Sequence, residues 1–135
     1  MCGIVGYIGD RQAAGILLDG LEKLEYRGYD SAGIAIMGKD KIKCCKVKGR
    51  LENLRNACRE TEVSGSVGIG HTRWATHGEP SVANAHPHLS NDGKFAVVHN
   101  GIIENYVELR EFLGEKGYTF SSETDTEVIP NLVSL

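Results

Sequence analysis

Met1-Cys2-Gly3-Ile4-Val5-Gly6-Tyr7-Ile8 opens the chain, and its reading decides the fold. Residues 2–8 are expected to form a short strand that begins almost at the first atom of the chain. A thiol at position 2, followed by the small Gly3, invites removal of Met1. Cys2 then carries a free α-amino group. That amine titrates at about 7.7–8.0 and the thiol at about 8.5 when unperturbed, so one residue supplies both a base and a nucleophile. Taken alone, Cys2 reads better as a small core residue at a frayed chain end.

Working outward, Asp10 is placed to cap a helix. Ala14, Leu17, Leu18, Leu21 and Leu24 recur at helical spacing, and the helix ends near Tyr26, before Gly28. Residues 32–37 and 41–47 read as paired strands joined by a turn at residues 38–40. Leu51, Leu54 and Cys58 mark a short helix, and residues 67–71 a third strand. Residues 72–90 are polar, lack a period and hold Pro80 and Pro87; so long an irregular stretch is usually functional or disordered. Residues 95–99 form an apolar strand that runs into Asn100-Gly101. A helix over residues 105–115 turns Tyr106, Val107, Leu109, Phe112 and Leu113 inward, with Gly117 just past its end. A last helix begins near Thr124 or Asp125 and carries Val128, Ile129, Leu132 and Val133, with Pro130 tolerable only in its first turns. Strands and helices without strict alternation point to an α+β fold or a layered sandwich. The chain is expected to be the front portion of a longer domain.

The chain has 135 residues, of which 41% are hydrophobic and 24% charged, with a net charge of -3. This composition is that of an ordinary globular protein and gives no electrostatic case for nucleic acid. The basic residues between Lys39 and Arg50 alternate with apolar ones and read as the solvent face of a strand. No apolar stretch is long enough for a bilayer, and the first residues lack the basic flank and apolar run of a signal peptide; a cytoplasmic location is expected. Cys2, Cys44, Cys45 and Cys58 are expected to be free thiols, with Cys44 and Cys45 on opposite faces of a strand. His71, His77, His86, His88 and His99 lie in one stretch and raise a metal site. They lack helical His-x-x-x-His spacing and paired cysteines, so no metal is assigned. No Walker-type loop or dinucleotide fingerprint is present, and no cofactor is expected.

Three further segments hold chemistry. His71-Thr72-Arg73-Trp74-Ala75-Thr76-His77-Gly78-Glu79-Pro80 places a guanidinium, able to hold a carboxylate through two parallel hydrogen bonds, beside an indole that can cover a ligand. The alternative is a surface loop held by arginine ion pairs and a partly buried Trp74, but loop position and polar density favour a binding role. Val97-Val98-His99-Asn100-Gly101 can present a side-chain amide and a main-chain N–H together, the donors a developing oxyanion needs, although Asn-Gly is also a common turn. Ser121-Ser122-Glu123-Thr124-Asp125-Thr126-Glu127 sets three carboxylates at a helix start. That position suits the helix dipole, or lets one carboxylate face a ligand amine.

Together these segments resemble the class II glutamine amidotransferases, whose glutaminase domains have the layered αββα N-terminal-nucleophile hydrolase fold. The likeness rests on Met1 to Gly6, Leu24-Glu25-Tyr26-Arg27-Gly28-Tyr29-Asp30-Ser31-Ala32-Gly33 and the His71 to Pro80 segment. It continues in Asn84-Ala85-His86-Pro87-His88, in His99-Asn100-Gly101-Ile102-Ile103-Glu104-Asn105 and in Ser122 to Glu127. The runs around Tyr26, Arg73 and Thr124 resemble the aminosugar-forming branch more than the nucleotide-pathway or asparagine-forming branches. The resemblance implies that residues 1–135 are the N-terminal portion of a glutaminase domain. Cys2 would attack the glutamine amide, and Asn100 and Gly101 would form the oxyanion hole. Arg73 would hold the substrate carboxylate and Asp125 its α-amino group. Thr76 and His77 would line the pocket, Trp74 would sit on a closing loop, and Arg27 would support the nucleophile. Glutamine would be the ligand. Two sugar-isomerase modules, which bind fructose 6-phosphate and through which homo-oligomers would form, would lie outside this chain. A non-catalytic binding fragment is the remaining alternative.

Overall fold

The computed structural model describes residues 2–27, 30–61, 63–74 and 79–135, without the side chain of Arg27. In chain order the elements are β1 (Gly3–Ile8), α1 (Ala13–Leu24), β2 (Ser31–Met37), β3 (Ile42–Lys48), α2 (Leu51–Thr61), β4 (Val67–Arg73), β5 (His88–Leu89), β6 (Ala96–Val97), α3 (Tyr106–Glu115) and α4 (Val128–Ser134). Short 3-10 turns occupy Glu25–Arg27 and Asp125–Glu127. β1, β4, β2 and β3 form one antiparallel sheet in that order, and β5 and β6 form a second.

Alternation along the strands gives the four-stranded sheet one apolar face. Ala32, Ile34 and Ile36 of β2, Val5 and Tyr7 of β1, and Cys45 and Val47 of β3 share a core with Ala13, Leu17, Leu18 and Leu21 of α1 and with Leu51, Leu54 and Cys58 of α2. The expected stripes are the buried ones at Leu17, Leu18, Leu21, Leu51, Leu54 and Cys58, while Ala14 is partly buried and Leu24 lies outside this cluster. The opposite face carries Gly33, His71 and Arg73, and the segment at residues 84–89 lies across it. There α3 and α4 pack on each other, and α4 touches β5 and β6. Helices, sheet, strand ribbon and helices stack in the expected α+β layered order.

Several local expectations are corrected. Asp10 does not cap α1. The N-cap position is Gln12, whose Oε1 accepts the Gly65 N–H at 3.0 Å, while Ala13 N–H donates to Gly65 O at 2.8 Å; the helix start is tied to the turn before β4 instead. The apolar strand over residues 95–99 shrinks to Ala96–Val97. Its partner β5 follows Pro87, which has no N–H to lengthen the ladder. In α3 only Leu113 is buried, and Val107 and Phe112 face outward. This helix does end as expected, in a left-handed glycine. Gly117 has φ +94, its N–H donates to Gly114 O, and Tyr118 N–H donates to Leu113 O, the paired bonds of a Schellman cap. Lys46 is not on a solvent face. It is partly buried on the side of β3 that faces Glu127, and burial pulls its amine below the usual range while the charges of Cys44 and Glu127 oppose that shift. The adjacent cysteines do split across the strand: Cys45 enters the helix-side core, and Cys44 lies against the Pro87 carbonyl at 3.9 Å. All four cysteines are free. No helix among the described residues is long and apolar enough to cross a membrane.

Candidate active site

The pairing of Gly3 with Thr72 brings Cys2 beside the end of β4. There the sulfur accepts the Trp74 main-chain N–H at 3.3 Å, and the thiol lies 3.6 Å from the Trp74 carbonyl as its donor. The Asn-Gly turn after β6 closes on the same point. Asn100 Nδ2 donates to the Cys2 carbonyl at 3.2 Å, which leaves the second N–H of the amide for another acceptor. Gly101 lies against the His99 ring, which a Cβ at position 101 would meet at 3.0 Å. His99 Nδ1 lies 3.2 Å from Thr126 Oγ1.

Cys2, Arg73, Trp74, Asn100, Gly101 and Asp125 all line one cavity of about 270 Å³. Arg73, the last residue of β4, is 3% exposed and donates through Nη1 to the Glu79 carbonyl at 3.2 Å. Asp125, in the 3-10 turn before α4, is 4% exposed. Its Oδ2 accepts the Ile103 N–H at 2.7 Å, and Oδ1 takes a long contact, 3.4 Å, from Thr126 Oγ1. A cation and a carboxylate thus share a cavity whose wall holds a thiol and a side-chain amide. That arrangement suits a small zwitterion carrying an electrophilic carbon. Trp74 is half exposed, at the rim.

Thr76 and His77 lie outside the described residues, as does the side chain of Arg27. His86, His99, Thr124 and Thr126 also line the cavity. The signal that could have found them was the density of polar side chains in the segments already singled out. The other two carboxylates of the 121–127 segment divide. Glu123 is exposed, whereas Glu127 is buried and accepts bonds from the main-chain and hydroxyl groups of Ser121 and Ser122. Glu127 therefore has a structural part, knotting the chain ahead of α4. A larger hollow of about 660 Å³, beside Lys46, His88 and Glu127, does not reach Cys2. Among the described residues no three His, Cys, Asp or Glu side chains converge on a metal position. Burial instead holds His71, His86 and His88 neutral: His71 falls to about 4 and His88 to about 3, and His86 is pushed lower still.

Residues 46–134 match the model of the glutamine amidotransferase domain family. The chain is 67% identical over 133 residues to the glutamine–fructose-6-phosphate aminotransferase (isomerizing) of Clostridium perfringens, covering 98% of this chain and 22% of that protein. The enzyme of the same name from Thermus thermophilus is 57% identical over 133 residues, with the same two coverages. The chain thus spans about a fifth of the length of these relatives. Among solved structures it is similar to the glutamine phosphoribosylpyrophosphate amidotransferase of B. subtilis complexed with ADP and GMP, with a TM-score of 0.81, 30% identity and coverage of 99% of this chain and 29% of that one. It is also similar to a structure of the allosteric regulatory enzyme of purine biosynthesis, with a TM-score of 0.84, 31% identity and the same coverages. Since the family model takes in most of the chain and the relatives align with nearly all of it, the chain belongs to the glutamine amidotransferase domain family and has the fold of the N-terminal-nucleophile amidotransferases.

Proposed function

We propose that this chain is the N-terminal portion of a glutaminase domain that hydrolyses the side-chain amide of glutamine, with Cys2 as nucleophile after loss of Met1. The thiol sulfur attacks the amide carbon. Its proton passes to the α-amine of Cys2, directly or through water, and from there to the departing nitrogen, which leaves as ammonia. Water then cleaves the thioester to give glutamate and restores the thiol. Asn100 and the main-chain N–H of Gly101 take the negative charge on the amide oxygen. Arg73 holds the substrate carboxylate through paired bonds, and Asp125 holds its ammonium. Trp74 stands at the rim of the pocket; Thr76 and His77 as pocket residues, and Arg27 as a support of the nucleophile, are parts that the family resemblance implies. The observation that carries this reading is the meeting of Cys2, Arg73, Asn100 and Asp125 in one cavity.

In a full-length protein the ammonia would pass to fructose 6-phosphate on sugar-isomerase modules to make glucosamine 6-phosphate. Identities of 57–67% to the glutamine–fructose-6-phosphate aminotransferases support this acceptor over the phosphoribosylpyrophosphate in the name of the B. subtilis neighbour, at 30%. The free thiols suit the reducing cytoplasm.

The test is the state of the N-terminus. Intact mass of the full-length protein is expected to lack Met1. An uncleaved N-terminal extension is expected to abolish glutaminase activity while leaving the far-UV circular dichroism and melting temperature unchanged. Full activity with the extension in place would move the base from the α-amine to another group and overturn the mechanism.

A further inference from the structure

Asn84 is 2% exposed, and its amide is used at both ends. Nδ2 donates to the Glu79 carbonyl at 2.9 Å, and Oδ1 accepts the Glu123 N–H at 2.8 Å. Its own main-chain N–H donates to Ser81 Oγ at 3.1 Å. The Glu79 carbonyl is the same oxygen that accepts Arg73 Nη1 at 3.2 Å, and Glu123 stands two residues before Asp125. One buried side chain therefore links an acceptor of the Arg73 guanidinium to the segment that delivers the Asp125 carboxylate. Arg73 and Asp125 come from distant parts of the sequence and from different layers of the fold, so their separation has to be fixed by cross-links of this kind.

We infer that Asn84 is a positioning residue that sets the distance between Arg73 and Asp125, and so selects a substrate bearing a carboxylate and an ammonium on one carbon, an α-amino acid. The inference rests on the roles given above to Arg73 and Asp125. An amide is required because it donates at one end and accepts at the other. A carboxylate of the same size would keep the bond from the Glu123 N–H but set an acceptor against the Glu79 carbonyl. Asn84→Asp thus breaks the Arg73 half of the link and spares the Asp125 half.

The experiment compares kcat/KM in the full-length protein for L-glutamine, for 4-aminobutanamide (glutamine without its carboxylate) and for glutaramic acid (glutamine without its ammonium). Asn84→Asp is expected to raise KM for glutamine about 10-fold with kcat within about 2-fold, the loss of one well-aligned bond. It is expected to leave 4-aminobutanamide nearly unchanged, so that discrimination for the carboxylate shrinks. Asn84→Ala is expected to shrink discrimination for both groups. Equal losses on all three substrates would mean a merely structural residue and overturn the inference, as would unchanged discrimination. Arg73→Lys separates the two levels of the argument. If it leaves discrimination for the carboxylate intact, the reading of Arg73 fails. If it removes that discrimination while Asn84→Asp does not, only the inference about Asn84 fails. Asn84→Ser, whose hydroxyl can still donate or accept, reads the same ratios if the aspartate variant does not fold.

Discussion

The imidazoles of His71 and His86 stack with ring centroids 4.1 Å apart and 14° between their planes. His71 is 0% and His86 5% exposed, and His88 is tilted against His86 at 4.7 Å. Three buried rings are therefore in contact at the cavity, with His86 in its lining and with Arg73 and Lys46 contributing positive charge nearby. Charging any of them would bury a cation among cations, and burial is the larger part of why all three lie below the ordinary histidine range.

This fixes the direction of acid sensitivity. A histidine whose folded value is depressed binds protons in the unfolded chain before it does in the folded one. Its contribution to stability is complete above about 6.5, the unfolded value, and is lost as pH falls from there toward the folded value. Each such histidine costs about 1.4 kcal/mol per pH unit across that window. Urea unfolding at pH 7.5, 6.0 and 5.0 is expected to show a stability that declines steeply below pH 6.5. A flat profile from pH 7.5 to 5.0 would mean that the three rings do not remain neutral in the folded protein.

Gly33 is the point where the sheet meets this layer. A Cβ there would run into the His86 carbonyl oxygen and come within 3.0 Å of Lys46 Cγ. The obstacle is backbone on one side, so relaxation has to move the segment that holds the histidines. Gly33→Ala is expected to destabilise the protein by about 3 kcal/mol, at the upper end for overpacking by one methyl group, and to raise KM for glutamine, because His86 lines the cavity. Chemical denaturation and steady-state kinetics read the two effects. A change below about 0.5 kcal/mol would show that this contact relaxes without cost.

The parts of the fold legible in the sequence were those with a period. Leu17, Leu18 and Leu21 lie in the core where their spacing puts them, and the paired strands of residues 31–48 follow from alternation and the turn between them. A lysine alternating with apolar residues, as Lys46 does, has the same pattern whether it faces water or a buried carboxylate such as Glu127. Val107 and Phe112 are exposed: spacing shows that a stripe exists but not that anything covers it. Cys2, Arg73, Asn100 and Asp125 were legible as chemistry, and the structure brings them to one cavity. Asn84 was legible only as part of a motif: an asparagine in an aperiodic loop gives no hint that it bridges residues 79 and 123.

Substrate charge is the next test. Arg73→Lys replaces a planar fork by a point charge that cannot reproduce two parallel bonds, and Asp125→Asn removes the charge facing the ammonium. Each is expected to lower kcat/KM for glutamine by about 10²-fold or more, mostly through KM, as expected when a buried charged partner is lost. In Asp125→Asn the side-chain oxygen can still accept the Ile103 N–H, so the charge is what the substitution chiefly removes. Either variant with a near-normal specificity constant for glutamine would remove that residue from the binding site.

Asn100 requires a sharper separation, because its amide already donates to the Cys2 carbonyl. If its other N–H meets the amide oxygen only after Cys2 has attacked, the interaction exists in the transition state and not in the bound substrate. Asn100→Asp then lowers kcat by about 10²–10³, the usual cost of one oxyanion donor, and leaves ground-state binding unchanged. Calorimetry with Cys2→Ala and with the Cys2→Ala/Asn100→Asp pair is expected to give the same glutamine affinity. A fall in kcat could also come from a displaced nucleophile, since the contact with the Cys2 carbonyl is lost at the same time. Alkylation by iodoacetamide distinguishes the two, because displacement at a methylene carbon generates no oxyanion. An Asn100→Asp protein that alkylates at the parent rate but turns over glutamine slowly has lost charge stabilisation alone. One that alkylates as slowly as it turns over has lost the placement of Cys2, and the oxyanion role of Asn100 is then wrong. If the variant is nearly as active as the parent, Asn100-Gly101 is only a turn, and Cys2 remains the nucleophile with its oxyanion donors elsewhere.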